Sequence, residues 1–333
     1  MGEKQRAEPE ERIPTMSRRI AVLIPCHNEA ATIAKVVRDF RTALPEAAIH
    51  VYDNNSTDGT ATIAEGAGAL VRPEPLQGKG NVVRRMFADI EADLYVLVDG
   101  DDTYDAGAAP AMVAALEQNQ LDMVNASRVP DRAGQERFGH QFGNRLLTGL
   151  VRRIFGARLQ DMLSGYKVLS RRFVKSFPCL ATGFEIETEI TVHALELRMS
   201  IRELPAGYRE RPEGSASKLH TIRDGIRILL TILRLVQAER PMLFYGSAGM
   251  ALVAAAIWLM VPVFITFEET GLVPRFPTAI LAMGMTLLGF LSLACGLILQ
   301  TVTLGRLEAK RMVYLSIPAV RRPGENAGPA LRA

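Results

Sequence analysis

The chain is predicted to be an α/β domain with a mainly parallel sheet, followed by an amphipathic juxtamembrane helix and two transmembrane helices. Three observations carry this. Between Arg19 and Arg128, short apolar runs alternate with helical patterns, the order that parallel strands with crossover helices impose. From Leu243 to Phe267, and again from Pro277 to Gly305, there is no charged side chain, and each run reaches the roughly 20 residues that cross a bilayer. Just before the first run, Leu219, Ile222, Ile226, Leu229, Leu233 and Val236 recur at the spacing of one helical face, with Lys218, Arg223, Arg227 and Arg234 around it.

Taken in order, residues 1–17 are polar and of mixed charge and read as a disordered tail. They lack the apolar stretch of a secretory signal. Met-Gly at the start does not make a myristoylation motif, because Arg6 stands where that motif wants Ser or Thr. A catalytic domain is expected over 18–216. Within it IAVLIP precedes a helix from Thr32, IHVYD one from Thr60, LYVLVD one from Ala106, and LDMVNAS closes the series. The amphipathic helix, 217–240, either lies in the lipid interface or packs on the catalytic domain. The two spans are expected at about 243–267 and 277–304 within 241–305, and 306–333 reads as a tail.

Basic residues flank the spans. Arg227, Arg234 and Arg240 precede the first; Arg306, Lys310 and Arg311 follow the second; the connecting loop has Arg275 with two Glu. This asymmetry places both termini, and the catalytic domain, in the cytoplasm. The net charge of +3 gives no basic domain for nucleic acid, since the cations cluster beside the bilayer. Cys26, Cys179 and Cys295 are odd in number, far apart and without metal-ligand spacing, so neither a disulfide nor zinc is expected.

In open sheets ligands bind at the carboxyl ends of strands, and three polar clusters fall there: Pro25 to Glu29, Asp53 to Gly59, and Asp99 to Asp102. Asp99 and Asp101 are two apart at a strand end, so their carboxylates share a face. Converging carboxylates repel unless a cation sits between them, and hard oxygen ligands suit Mg²⁺ or Mn²⁺; Asp99, Asp101 and Asp102 are the candidate ligands. The alternative is a solvated acidic turn. Gly78-Lys79-Gly80 is not an ATP-binding loop, because Pro73 occupies the first glycine's place and Gly80 follows the lysine. His193, four residues after Glu189, reads as part of a packed helix face, and His27 as lining a pocket.

Ile24 to Glu29, Asp53 to Thr60, Gly78-Lys79-Gly80 and Asp99 to Asp102 together resemble family 2 glycosyltransferases. Asp161 to Lys167, Gly183-Phe184-Glu185 with Glu189, and Arg211 followed by Ser217-Lys218-Leu219 resemble that family's polyprenyl-phosphate branch, typified by dolichol-phosphate mannose synthase. The resemblance covers residues 19 to about 240. Thr103 stands where the branch often has Gln beside the metal. The resemblance implies a nucleotide-sugar-binding GT-A-type Rossmann-like fold and an inverting, metal-dependent transfer from a UDP- or GDP-linked sugar to a polyprenyl phosphate. On the donor side it implies Pro25, Asn28, Glu29, Asp53, Lys79 and Gly100, although Asp53 and Asp58 could equally cap the next helix. Asp99 and Asp101 are expected in catalysis. Asp161 either orients the acceptor or holds a turn. Arg128, Arg211 and Lys218, with Arg137 and Arg145 behind them, are candidates for the acceptor phosphate; otherwise Arg128 and Arg211 make structural ion pairs and Lys218 meets anionic lipid head groups.

Two other readings follow from the same residues. A neutral lipid acceptor such as a diacylglycerol would need Asp161 as base, and a non-catalytic nucleotide-binding scaffold would need none of these side chains. A processive synthase is excluded, since its Gln-x-x-Arg-Trp motif has no counterpart and the one tryptophan, Trp258, lies in a span. A homo-oligomer stays open.

Overall fold

The computed structural model describes residues 18–130, 161–209 and 240–320, with positions 149, 230, 233, 236 and 237. Seven strands form one sheet in the order β3-β2-β1-β4-β6-β5-β7. They are β1 Ile20–Cys26, β2 Ala48–Asp53, β3 Leu70–Pro73, β4 Leu94–Leu97, β5 Met123–Pro130, β6 Lys167–Ser170 and β7 Ile201–Tyr208. The helices are α1 Ile33–Ala43, α2 Thr60–Gly66, α3 Lys79–Asp89, α4 Ala109–Gln118, α5 Arg171–Ser176, α6 Ile186–Glu196, α7 Pro241–Thr270 and α8 Phe276–Ser316. Strand β6 runs antiparallel to both its neighbours, β4 and β5; the other pairings are parallel.

Alternation along the strands builds two cores. Ile20, Val22 and Ile24 of β1 point to one face, where Val36, Val37 and Phe40 of α1 and Met112, Val113 and Leu116 of α4 cover them. Ala21 and Leu23 point to the other, under Val82, Val83 and Met86 of α3, Phe173 of α5 and Ile190 of α6. With both faces covered, the central strands read as continuous apolar runs.

The sheet splits where the ligand crevice is needed. Strand β1 pairs with β2 as far as Cys26 and Asp53 but with β4 only over Ile20–Leu23. The carbonyl of Leu23 accepts from Val98 N–H at 3.0 Å. Pro25, two residues on and facing the same side, has no N–H to continue the ladder. The chain order also reverses across β1, so this is the switch point at which open α/β sheets bind ligands.

Helices α7 and α8 are long and apolar enough to cross a membrane, with mean hydropathy of 2.4 and 2.1 in their most apolar windows. Only 11% and 17% of those windows are buried, which separates them from core helices. A Cβ on Gly249 would lie 2.7 Å from the Gly289 carbonyl, so the two backbones nearly touch, as small residues allow between membrane helices.

The helix does not stop at about 304, where the second span is expected to end. Helix α8 continues to Ser316 through the start of the expected 306–333 tail, because this stretch has its own partners on the catalytic domain. Lys310 pairs with Glu196 at 2.9 Å, the Tyr314 hydroxyl donates to Asp122 at 3.0 Å, and the Arg172 guanidinium stacks 4.8 Å from the Tyr314 ring. Leu307 and Tyr314 pack against the α3, α5 and α6 core. Most of the expected helix over 217–240 lies outside the described residues.

Candidate active site

Three turns meet at the carboxyl ends of β1, β2 and β4. After β1, Asn28 takes a left-handed φ of 51° and donates its backbone N–H to Ser56 Oγ at 2.8 Å, while its side-chain oxygen accepts from Thr57 N–H at 2.8 Å. Glu29, buried at 7% exposure, donates its backbone N–H to Thr60 Oγ1 at 2.9 Å. The β1 and β2 turns are thereby joined by their own polar side chains. Asp58 accepts from Ala30 N–H and Thr60 N–H, so the capping role falls to Asp58. Asp53 accepts from Ser56 N–H through Oδ2 at 3.1 Å, whereas its Oδ1 is buried without a hydrogen-bond partner.

The β4 turn is pinned on the other side. Thr32 Oγ1 donates to the Gly100 carbonyl at 2.7 Å, and a Cβ at Gly100 would lie 2.6 Å from Cys26 Sγ. Only glycine lets this turn approach β1 so closely. Asp101 is buried and its Oδ1 accepts from Thr103 N–H and Oγ1 at 3.2 and 2.7 Å. Thr103, standing where the resembled branch often has Gln, thus acts through Asp101. Asp102 departs from the expected ligand set: with φ at 58° its carboxylate is carried to Lys35 Nζ at 2.7 Å. Among the described residues no three His, Cys, Asp or Glu side chains are grouped to hold a metal.

Lys79 occupies the centre. Its ammonium bridges Asp99 Oδ1 at 2.5 Å and Glu187 at shorter range, with the three side chains 10%, 27% and 8% exposed. Burial lowers the Lys79 pKa, but the two carboxylates outweigh it and hold the group above its ordinary value. Burial raises the pKa of Glu187, and Asp99 across the same ammonium adds to this while Lys79 opposes. The glycines flanking Lys79 have a steric cause: a Cβ on Gly78 would come within 2.2 Å of the Thr182 carbonyl, and one on Gly80 within 2.2 Å of that of Ala181. Glu189 fixes the same segment by accepting from Leu180 and Ala181 N–H at 2.9 and 2.7 Å. Gly165 is required too, since a Cβ there would lie 2.2 Å from Asp99 Oδ2.

On the β5 side Arg128 grips Asp161 with two bonds, Nε to Oδ2 at 2.6 Å and Nη2 to Oδ1 at 2.8 Å. Burial raises the Asp161 pKa, yet the guanidinium's hydrogen bonds and charge more than cancel this and leave it below its ordinary value. Behind the pair, Lys167 is fully buried, bonded to Asn125, and burial pushes its pKa down to about 8. Asn125 in turn donates to the Asp161 carbonyl at 2.7 Å and to Glu203 at 3.0 Å.

Of the expected site residues, the structure brings Pro25, Asn28, Glu29, Asp53, Lys79, Asp99, Gly100 and Asp101 to one crevice and joins Arg128 to Asp161. Arg137, Arg145, Arg211 and Lys218 lie outside the described residues. His193 is packed between Phe173 and Phe177 at 5.4 and 5.2 Å, and burial lowers its pKa to about 3. Sequence reasoning missed Glu187 and placed Lys167 in a motif without giving it a role. The signal for Glu187 was its place on a buried helical face with Thr191 and Ala194, four and seven residues on; a charge there needs a buried partner.

The domain is an α/β fold whose mainly parallel sheet gathers carboxylates and a lysine at its switch point, followed by two apolar helices long enough to cross a membrane. Residues 21–177 match the glycosyl transferase family 2. The chain is 33% identical over 300 residues to glycosyltransferase AglJ of Haloferax volcanii, covering 89% of this chain and 98% of that one. It is 63% identical over 109 residues to protein RfbJ of Shigella flexneri, covering 33% and 84%. The glucosyl-3-phosphoglycerate synthase of Mycobacterium tuberculosis, crystallised with Mn²⁺, UDP and glucosyl-3-phosphoglycerate, aligns with a TM-score of 0.54 at 25% identity, over 64% of this chain and 79% of that one. The chain belongs to glycosyl transferase family 2.

Proposed function

We propose that the chain transfers a sugar, with inversion, from a UDP- or GDP-linked donor to the phosphate oxygen of a polyprenyl phosphate at the cytosolic membrane face. The observation that carries the acceptor class is the Arg128 and Asp161 pair. A hydroxyl acceptor such as a diacylglycerol needs a base. Asp161, the side chain considered for that task, has both oxygens on a guanidinium and a depressed pKa, which makes it a weak base. A phosphate monoester needs none, since with a second pKa of about 6 it is largely ionised at neutral pH.

The donor side follows from the crevice. The unpartnered Oδ1 of Asp53 suits an N–H of the nucleotide base, and Lys79 faces the diphosphate as a point charge. Asp99 and Asp101 would hold a divalent cation, an arrangement of one or two carboxylates completed by substrate phosphates that suits Mg²⁺ and Mn²⁺. The residues fit such an ion: Asp99 and Glu187 share one ammonium, so these two carboxylates are one positive charge short. When bound, the cation neutralises the charge that develops on the leaving nucleoside diphosphate. The Mn²⁺ and UDP bound by the mycobacterial synthase support both assignments. Arg211 and Lys218, with Arg137 and Arg145, are proposed to complete the acceptor's phosphate site where the domain meets the bilayer, and both termini are proposed to be cytoplasmic.

The test is to incubate detergent-solubilised protein with a panel of nucleotide sugars and a short polyprenyl phosphate, and to identify the lipid product by mass spectrometry. A polyprenyl-phosphate sugar is expected. Transfer to diacylglycerol but not to the polyprenyl phosphate would overturn the acceptor assignment, and nucleotide binding without transfer to any acceptor would favour a scaffold.

A further inference from the structure

We infer that Glu187 is a positioning residue that controls access of a divalent cation to Asp99 by taking over the Lys79 ammonium; the inference rests on the donor-side reading above. Lys79 Nζ stands on Asp99 Oδ1, one of the two oxygens that a metal could take, and a second contact ties the same nitrogen to Glu187. An ammonium and a divalent cation compete for one carboxylate oxygen. The ammonium can leave Asp99 only if another anion receives it in a site this dry, because an unpaired buried charge is strongly disfavoured. Glu187 is that anion, and its place is secured from several sides. It starts helix α6, whose Glu189 clamps the Leu180 and Ala181 amides. Those residues border the carbonyls against which Gly78 and Gly80 are packed. The lysine and its second carboxylate therefore sit on two segments locked together, while Asp99, the most exposed of the three, keeps an edge toward the crevice.

Field and contact make different predictions. If Glu187 acts only through its negative charge, a shorter acid at the same place serves as well. If it acts by receiving the ammonium, the shorter acid fails, because its carboxylate would stop one methylene short of Nζ. The experiment measures Mn²⁺ binding to the full detergent-solubilised chain without nucleotide, by the electron paramagnetic resonance signal of free Mn²⁺. One neighbouring charge changes the affinity of a carboxylate for a cation by about tenfold or more. Accordingly Lys79→Met should tighten Mn²⁺ binding about tenfold, and both Glu187→Gln and Glu187→Asp should weaken it by about that factor. Melting temperatures recorded alongside keep misfolded variants out of the comparison. Glu187→Asp binding Mn²⁺ as the unmodified chain does, with Glu187→Gln impaired, would show that charge alone matters and refute the transfer. Failure of Lys79→Met to tighten binding would refute the competition. No Mn²⁺ binding by the unmodified chain, whether without nucleotide or with UDP added, would remove the metal assignment itself, a result distinct from the other two.

Discussion

Arg128→Ala removes one partner of a mostly buried ion pair and strands the other. Losing one member of such a pair costs about 3–5 kcal/mol. With Arg128 22% and Asp161 10% exposed, residual solvation puts the expected loss at the lower end, about 3 kcal/mol. For a domain of this size that lowers the melting temperature by about 6–12 °C. The pH dependence gives the sharper test. In the unmodified chain the folded Asp161 pKa is depressed, so the pair's contribution is complete above the unfolded value of about 3.9 and is lost as pH falls through the lower, folded value. In the variant only burial remains, which raises the folded pKa, so the penalty appears as pH climbs above about 3.9. The two proteins should therefore melt furthest apart at pH 7, less far apart near pH 4 where the variant's penalty has gone, and together only below the folded pKa of Asp161. The double variant Arg128→Ala with Asp161→Ala should recover part of the loss at pH 7. Calorimetric melting of the detergent-solubilised chain at both pH values measures this. A variant that melts within about 2 °C of the parent at pH 7, well under the expected 6–12 °C, or is equally depressed at both pH values, would refute the argument.

Three further outcomes are expected. Asp99→Asn or Asp101→Asn should lower kcat by about 10²–10³, the scale for losing one electrostatic contact to a transition state, and EDTA should abolish turnover; full activity in EDTA would sink the metal assignment. Gly165→Ala places a methyl 2.2 Å from Asp99 Oδ2 and must move that carboxylate, so kcat/KM should fall about 10²-fold while Mn²⁺ binding weakens; unchanged kinetics would contradict the contact. If both apolar helices span, Thr270→Cys should react with an impermeant thiol reagent from outside intact cells and Ser17→Cys should not; equal labelling would contradict the two-span topology.

The four strands legible in the sequence were those that end at chemistry. IAVLIP, IHVYD and LYVLVD are long apolar runs, buried on both faces, and each delivers a polar cluster to the crevice. Strands β3 and β6 escaped because their four residues lack the apolar run that made β4 readable, and their places are dictated by partners; β7 was legible only as a strand-like run before Arg211. Strand β6 is held between β4 and β5, and its Lys167 looks like a surface residue until the sheet closes over it. Asp99 and Asp101 were legible as carboxylates following an apolar run, but β4 ends at Leu97 and both lie in the turn beyond it, where strand alternation does not set their directions. The partner choices were not legible. Nothing local distinguishes Asp102, turned to Lys35, from Asp101, held by Thr103, and nothing in the sequence couples Lys79 to Glu187 across more than a hundred residues. Glycines carried more than the sequence reading took from them: Gly78, Gly80, Gly100 and Gly165 all mark places where a second segment occupies the room of a side chain.

The continuation of α8 changes what the apolar helices do. An anchor joined by a loose linker would hold the domain near the bilayer at no fixed height. Here one uninterrupted helix runs from the apolar stretch to Tyr314, whose hydroxyl meets Asp122. Asp122 is wholly buried and also receives Arg172, Ser170 and Ser200, so the attachment point is among the most constrained places in the domain. It lies immediately before β5, and Arg128 lies toward that strand's other end. At about 3.3 Å per residue, the strand separates the Tyr314 contact from the Arg128 and Asp161 pair by roughly 20 Å. On the proposed two-span topology, helix and strand act as two rigid rods in series and set where the strand ends stand relative to the membrane surface. A transferase whose acceptor cannot leave the bilayer has a use for that fixed distance, because a phosphate held by a lipid tail reaches only a narrow range of heights.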